Sequence, residues 1–381
     1  MAGIYIHIPF CKKACVYCNF HFSTVLTNTQ LMVDAIANEL RLRANYFETN
    51  TAIHTIYFGG GTPSVLSTHQ INKLLTAVYT HYNCAELTEI TMEANPDDLS
   101  LEYLLQLKQH TAINRLSIGV QSFNDDELLF FNRAHNSTQV HDALRNAQLA
   151  GFSNISVDLI FGSPVSTTQS FLQNLQWVEY YTIPHLSCYS LTVEEKTALA
   201  HHVKLTKKIT LNESLNNQQF ELLMNYATNN NWTQYEISNY CKPNFESMHN
   251  TSYWQGKPFL GVGPSAHSYN GAVRSFNVHN NTTYIKALTT DNWQAIIEAQ
   301  ETLTPNEHYN EYVMTRLRTI QGVPSLELEK LFGVEKLHYF ETHIEQHITN
   351  SMVTKTGLSY QLTSAGKYIA DSIASDLFCV E

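Results

Sequence analysis

Basic residues are scarce in this chain. Lys and Arg together number 23 against 34 Asp and Glu, a formal charge of −11. A field of that sign repels a phosphate backbone, so nucleic acid is not an expected partner. Long apolar runs are missing too. No stretch approaches the roughly 20 apolar residues that cross a bilayer, which excludes a transmembrane segment and leaves only peripheral contact with a membrane-bound partner open. There is no low-complexity segment, internal repeat or long linker. The N-terminus lacks the basic region, apolar stretch and small-residue cleavage site of a secretory leader, so a cytoplasmic location is expected. What is present is ordinary globular material: 381 residues, 43% hydrophobic and 15% charged, enough to bury one large core and a smaller appended one.

Seven cysteines are an odd count, and they are unevenly placed. Cys11, Cys15 and Cys18 crowd into eight residues, while Cys84, Cys188, Cys241 and Cys379 are scattered. In a reducing compartment such clustering argues for metal binding rather than a disulfide framework.

Short apolar runs at 4–8, 53–58, 89–93, 115–119, 155–161 and 186–190 read as strands. Between them, around 28–47, 67–82, 100–110, 136–150 and 167–181, apolar residues recur at three- and four-residue spacing and read as helices. The alternation predicts an α/β fold of parallel strands with crossover helices. Six units fit a partial (β/α)6 barrel, because the pattern breaks down after about residue 200. We therefore expect three regions: a barrel at 1–210, an extension at 211–300 and a small winged-helix-like domain at 301–381. The extension opens with a helix at 213–230 and continues through an aromatic, glycine-containing stretch from Trp232 to Phe276. The last region reads as three helices, a short hairpin at 353–358 and a further helix, a unit suited to capping or to protein contact.

Barrel sites gather at the C-terminal ends of strands. There the sequence places the cysteine loop, Gly59 to Thr62, Glu93 with Asn95, and Gln121, with Asp158 inside the fifth strand. Thiolates are soft anionic ligands suited to iron–sulfur clusters, and three of them on a short loop leave one of four irons open. A structural zinc would want a fourth ligand, for which His7 and His21 are the nearby candidates.

The C-x3-C-x2-C spacing after a first strand, with Tyr17 before the last cysteine, resembles the signature of the radical-SAM superfamily. The likeness extends to Ile-Tyr-Ile-His-Ile-Pro-Phe-Cys at 4–11, Tyr-Phe-Gly-Gly-Gly-Thr-Pro-Ser at 57–64, Glu-Ala-Asn-Pro at 93–96, Arg-Leu-Ser-Ile-Gly-Val-Gln-Ser-Phe at 115–123 and Asp-Leu-Ile-Phe-Gly at 158–162. These are similar to the branch that contains oxygen-independent coproporphyrinogen III dehydrogenases (HemN) and haem chaperones (HemW). The resemblance implies a [4Fe–4S] cluster on Cys11, Cys15 and Cys18, with S-adenosylmethionine (SAM) chelating the open iron. In that superfamily, reduction by an electron donor cleaves SAM to a 5′-deoxyadenosyl radical. It also implies a SAM site formed by Tyr5, Tyr17, Gly60, Gly61, Thr62, Glu93, Gln121, Arg133 and Asp158. Glycines 59 to 61 would let backbone approach the methionine end of SAM, with free N–H groups suited to its carboxylate. Arg133 and His135, in Asn-Arg-Ala-His, read equally well as a surface cap.

Two features separate the branches. Dehydrogenases carry a fourth cysteine two places after the third, where this chain has Phe20; since that cysteine is not a cluster ligand, its loss spares the cluster and counts against decarboxylation of a porphyrinogen. The string His249-Asn250-Thr-Ser-Tyr253-Trp254 resembles the motif tied to haem binding in the chaperones. An imidazole suits haem iron, and Tyr253 and Trp254 offer flat faces to a macrocycle. Haem delivered to an unnamed acceptor protein is thus the expected function, with porphyrinogen dehydrogenation the alternative. His267 is a second axial candidate, and Cys241 reads as a buried thiol. The chain departs from the family at Gly162-Ser-Pro, at Gly-Pro-Ser-Ala-His (263–267) and at Glu195-Lys196-Thr197, which puts local loop shape in question.

Overall fold

The computed structural model describes residues 2–205 and 209–380; the stretch 206–208, inside the first expected region, lies outside the described residues. Six strands alternate with helices: β1 Ala2–Ile8, β2 Ile53–Gly60, β3 Glu89–Ala94, β4 Arg115–Gln121, β5 Ile155–Phe161 and β6 His185–Ser190, joined through α1 Thr29–Leu42, α2 Thr68–His81, α3 Leu101–His110, α4 Asp125–Phe130, α5 Ser137–Leu149 and α6 Thr168–Tyr180. Neighbouring strands pair in parallel in chain order. β4 is buried along its whole length, as expected of a parallel strand covered on both faces.

The helices start where the sequence provides caps. Ser67 with Gln70, Asn136 with Gln139 and Thr167 with Ser170 each form a reciprocal capping box, which satisfies two otherwise orphaned N–H groups. The first helix ends at Leu42 rather than 47. Arg43 leaves it to bury its guanidinium against Glu39, the Gly261 carbonyl and Ser268, and Tyr46 and Phe47 fold back onto the core. The unexpected α4 is capped by Asn124, which accepts from the N–H groups of Asp126 and Glu127; at six residues it is too short to show a period.

Residues 211–300 share the barrel's sheet and core. The strand Phe259–Val262 pairs in parallel with β1, and His267–Tyr269, Val273–Asn277 and Ile297–Thr302 continue antiparallel beyond it. At the other edge Asn239–Cys241 and Thr233–Gln234 follow β6, making a twelve-stranded sheet among the described residues. Phe220, Leu223, Tyr284 and Ile296 belong to the main core.

The C-terminal region has a core of its own around Tyr309, Val313, Leu317, Phe340, Ile344 and Tyr360. Its helices are Pro305–Leu317, Ser325–Thr349 and Ala370–Asp376, the middle one broken at Gly333, where φ is 86°. The hairpin turns at Gly357, between Val353–Thr356 and Ser359–Leu362, and Val323–Pro324 adds a third strand, completing the winged-helix-like pattern. No helix among the described residues is long and apolar enough to cross a membrane.

Candidate functional site

The cysteine loop leaves the C-terminal end of β1 and is closed at its base. The Cys11 N–H bonds the Ser23 carbonyl at 3.0 Å and the Ser23 N–H bonds Pro9 at 2.9 Å. Its far side is stapled to the end of α4: the Val16 N–H donates to Phe131, and the Asn132 amide donates to the Ala14 carbonyl at 2.7 Å. Cys11, Cys15 and Cys18 are all unpaired and half-buried.

A polar chain links these thiols to the strand ends. Thr62 donates to Cys11 Sγ (3.4 Å), Asn95 donates to Thr62 (3.1 Å), and Arg133 reaches Asn95 Oδ1 (2.5 Å), the Gly119 carbonyl (2.7 Å), Cys15 Sγ (3.2 Å) and Tyr17 OH (3.3 Å). Arg133 is therefore no surface cap. Burial weighs against its charge, and the facing Tyr17 and Cys15 more than offset that, so its pKa is raised. His135 is also buried, with Nε2 on the Val120 carbonyl. Burial pushes the Cys11 thiol up to about 11, the Thr62 hydroxyl pulling the other way and Cys18 and Cys15 adding to the rise. A metal that binds here must displace protons.

The donor set fits a cluster better than zinc. His7 is buried with Nε2 on the His21 carbonyl (2.9 Å), and His21 Nε2 meets Asn281 Oδ1 (2.8 Å); both zinc candidates are engaged elsewhere. Among the described residues no group of three or more His, Cys, Asp or Glu side chains is placed to hold a single ion. A four-iron cube takes each thiolate on a different iron.

Two of the glycine amides are engaged within the protein. The Gly60 N–H donates to Glu93 (3.1 Å) and the Gly61 N–H to the Ile8 carbonyl (2.9 Å), so neither is free for a carboxylate. Gly60 has φ +103°, and a Cβ on Gly61 would lie 2.6 Å from the Phe10 carbonyl oxygen and 2.7 Å from that of Ile8. The glycines let β2 press against the root of the cysteine loop.

Inside the barrel, Glu93 accepts from Tyr57 OH (2.9 Å) and Asp158 accepts from Ser117 (3.2 Å). Burial raises Glu93 to about 7, opposed by the Tyr57 hydroxyl and reinforced by Asp158. Asp158 rises to about 6, again from burial and against bonds from Ser187 and Ser117. Gln121 follows a bulge in β4 at φ +65°. Tyr5 stacks on Tyr57 and Tyr57 on His249, at centroid distances of 6.1 and 5.0 Å. A polar cavity of about 220 Å³ runs between these groups.

The 249–254 string forms the helix Met248–Trp254, lying at the opposite, N-terminal end of the strands. Glu89, at the start of β3, accepts from the N–H groups of Met248 and His249, both at 2.9 Å. Thr55, near the start of β2, bonds His249 Nδ1 at 2.7 Å, and Tyr253 OH bonds Nε2 at 2.8 Å. His249 is 1% exposed with both nitrogens engaged, so coordination of an iron would first break two hydrogen bonds; burial lowers its pKa to about 3. Asn250 also faces the inner cavity, whereas Tyr253 lines both that cavity and a wide outer cleft, and Trp254 lines the cleft. Nothing in the sequence pointed to Glu89 or Thr55, whose partners lie about 160 and 190 residues away.

The cleft, of about 1590 Å³, runs between the strands that extend the sheet beyond β1 and the C-terminal region, from Phe20 beside the cysteine loop to Trp254. It exceeds the size of ordinary small-molecule pockets. Phe259, Tyr269, Phe276, Tyr312 and Phe332 give it aromatic walls; Arg274 pairs with Glu311 and Arg316 with Glu327, while Lys257 has no carboxylate partner among the described residues. Cys241 is fully buried, as expected of a structural thiol.

Comparison with known proteins accords with this geometry. The family profile of the radical SAM superfamily matches residues 5–178. A curated protein from Lactococcus lactis described as heme chaperone HemW is 32% identical over 369 residues, covering 97% of this chain and 95% of the relative. A Bacillus subtilis protein with the same description is 31% identical over 377 residues, covering 98% of each. The solved structure of coproporphyrinogen III oxidase (HemN) from Escherichia coli, described as a radical SAM enzyme, shares the fold with a TM-score of 0.84 at 22% identity, covering 99% of this chain and 90% of its own.

Proposed function

The chain belongs to the HemW haem-chaperone family of the radical SAM superfamily, and on that premise we propose that it binds haem in the outer cleft and hands it to an acceptor protein. The observation that carries this reading is the cleft: its volume and aromatic walls suit a flat macrocycle, and Lys257, without a carboxylate partner among the described residues, is at hand for a carboxylate of the ligand.

Cys11, Cys15 and Cys18 would hold a [4Fe–4S] cluster, as their free thiols and the Thr62–Asn95–Arg133 chain behind them support. Tyr5, Tyr17, Gly60, Gly61, Thr62, Glu93, Gln121, Arg133 and Asp158 would line the SAM site. When bound, the cluster supplies an open iron for SAM and, given an electron donor, an electron. The chain's own part is to hold these groups dry: Arg133 keeps a buried positive charge beside Cys15, while Glu93 and Asp158 sit where burial makes each half-ready to hold a proton near neutrality. His249 and Asn250 anchor the haem-motif helix from inside, and Tyr253 and Trp254 present its outer face. Unpaired cysteines throughout the described residues favour a reducing compartment such as the cytoplasm.

The alternative, porphyrinogen dehydrogenation, shares the fold but lacks the fourth cysteine; Phe20 stands there, 67% exposed at the cleft's lip. One anaerobic experiment separates the two. Protein with reconstituted cluster is titrated with haem, and in parallel given SAM, reductant and coproporphyrinogen III. Saturable haem uptake without CO2 release is expected; sustained CO2 release with formation of protoporphyrinogen would overturn the chaperone reading.

A further inference from the structure

We propose that His279, oriented by Glu298, is the residue that takes the haem iron in the outer cleft, with His249 serving to anchor the wall behind it. The inference rests on the haem-binding reading and goes beyond it, because the sequence motif points to His249.

Five histidines line the cleft: His7, His21, His267, His279 and His308. A metal-binding imidazole commonly donates its other N–H to a carboxylate or carbonyl, which fixes the tautomer and turns the free nitrogen outward. His7 fails this test, because it is 4% exposed and its two nitrogens meet the His21 carbonyl and Tyr5 OH. His21 has Nε2 on the Asn281 side chain, a neutral partner. The rings of His267 and His308 have no hydrogen-bond partner among the described residues, His267 resting edge-on against Phe276 at 4.6 Å; nothing sets their tautomers.

His279 alone among the five meets a carboxylate in a close hydrogen bond. Its Nδ1 lies 2.8 Å from Glu298 Oε2, and its backbone N–H donates to the same oxygen at 3.3 Å. Ring and backbone are clamped to one acceptor, which leaves Nε2 as the lone-pair nitrogen. The pair stands at a join in the fold. His279 follows the strand Val273–Asn277, and Glu298 lies in the antiparallel strand Ile297–Thr302. The ring meets His21 edge-on at a centroid distance of 6.2 Å, and His21 lies three residues past Cys18. The iron would therefore sit at the cluster end of the cleft, with the aromatic walls of Phe276 and Tyr269 extending from it.

Because His279 is exposed, its replacement leaves the core intact. The full-length protein, purified without oxygen, is titrated with haem as the wild type and as His279→Ala, His279→Gln, Glu298→Gln, His267→Ala and His249→Ala. Electron paramagnetic resonance and resonance Raman spectra report the axial ligand. The two His279 variants should lose the histidine signature and bind haem roughly tenfold or more weakly. Their uptake of metal-free protoporphyrin IX, followed by fluorescence, should match the wild type. Glu298→Gln should keep the ligand but lower the iron–histidine stretching frequency, a change that a merely structural surface pair would not produce. His279 variants with unaltered spectra and affinity would overturn the assignment while leaving the haem reading standing, and loss of the signature in His267→Ala or His249→Ala instead would name a different ligand. Absence of haem uptake by the wild type would overturn both.

Discussion

Glu89 should control the haem-motif helix although it lies far from it in sequence. Its carboxylate is buried and accepts the first two N–H groups of Met248–Trp254 at 2.9 Å, with the Ser247 hydroxyl at 3.4 Å. Hydrogen bonds to a charged group contribute about 1.5–3 kcal/mol each, and an unmade one costs the desolvation of the orphaned donor as well. A negative charge at the positive, N-terminal end of a helix adds about 0.3–1 kcal/mol. Glu89→Ala should therefore destabilise the protein by about 3–7 kcal/mol, and Glu89→Gln, which keeps one acceptor oxygen, by about 1–2 kcal/mol. Urea unfolding of the full chain measures the totals. Amide hydrogen exchange at 248–251 locates the effect, since those amides should lose protection before the rest of the core does. Glu89→Ala with an unshifted urea midpoint and unchanged exchange at 248–251 would refute the reasoning, because it would mean that the helix is held by packing alone.

Gly61→Ala places a methyl group 2.6–2.8 Å from backbone atoms of Ile8 and Phe10; overpacking of this kind costs about 1–3 kcal/mol, and iron content after reconstitution should fall with it. His135 is held at about 4, by burial first and by Arg133 second, against an unfolded value near 6.5. Its stabilising contribution is complete above pH 6.5 and is lost as the pH falls towards 4, so His135→Gln should flatten the plot of unfolding free energy against pH there by up to about 1.4 kcal/mol per pH unit; urea titrations at pH 7, 6 and 5 would show an unchanged slope if burial does not act this way. Phe20→Cys restores the dehydrogenase cysteine pattern at an exposed site and should leave iron content unchanged and CO2 release from coproporphyrinogen III at background; measurable turnover would show that one thiol is all that separates the two activities.

Local signals made the barrel legible, and distance hid the rest. Buried parallel strands such as β4 and β5 read as near-continuous apolar runs, and the helices between them showed apolar residues at three- and four-residue spacing. The cysteine loop was legible because its ligands fall within eight residues. The extension was not, because its strands are two to six residues long and Phe259–Val262 finds β1 across more than 250 residues of chain. Motif likeness also brought Arg133, Glu93 and Asp158 together with the thiols without showing how. Arg133 is the hub, bonded at once to a thiol, a phenol, an amide and a carbonyl. A motif names residue types but not the directions they face, so the engagement of the Gly60 and Gly61 amides, the enclosure of His249 and the His279–Glu298 pair needed coordinates.

The two cavities share only Tyr5 and Tyr253 as lining residues, which makes these rings the partition between the inner cavity and the outer cleft. Tyr253 is four residues from His249, one helical turn on, and its hydroxyl holds His249 Nε2 at 2.8 Å with the rings edge-on at 4.9 Å. Its other face packs edge-on against Phe259 at 4.6 Å, on the cleft wall. The two roles this string can have, ligating iron and shaping a wall, then make opposite predictions. If the string shapes the wall, Tyr253→Phe and His249→Ala should act in the same direction: the first breaks one buried bond and the second two, at about 1–3 kcal/mol each, both loosen Tyr253 against Phe259, and both weaken haem binding while leaving the axial-ligand spectrum unchanged. If His249 ligates the iron, Tyr253→Phe should instead free Nε2 and tighten haem. Haem titrations of the two variants side by side distinguish the cases, and tighter binding by Tyr253→Phe would return the iron to His249.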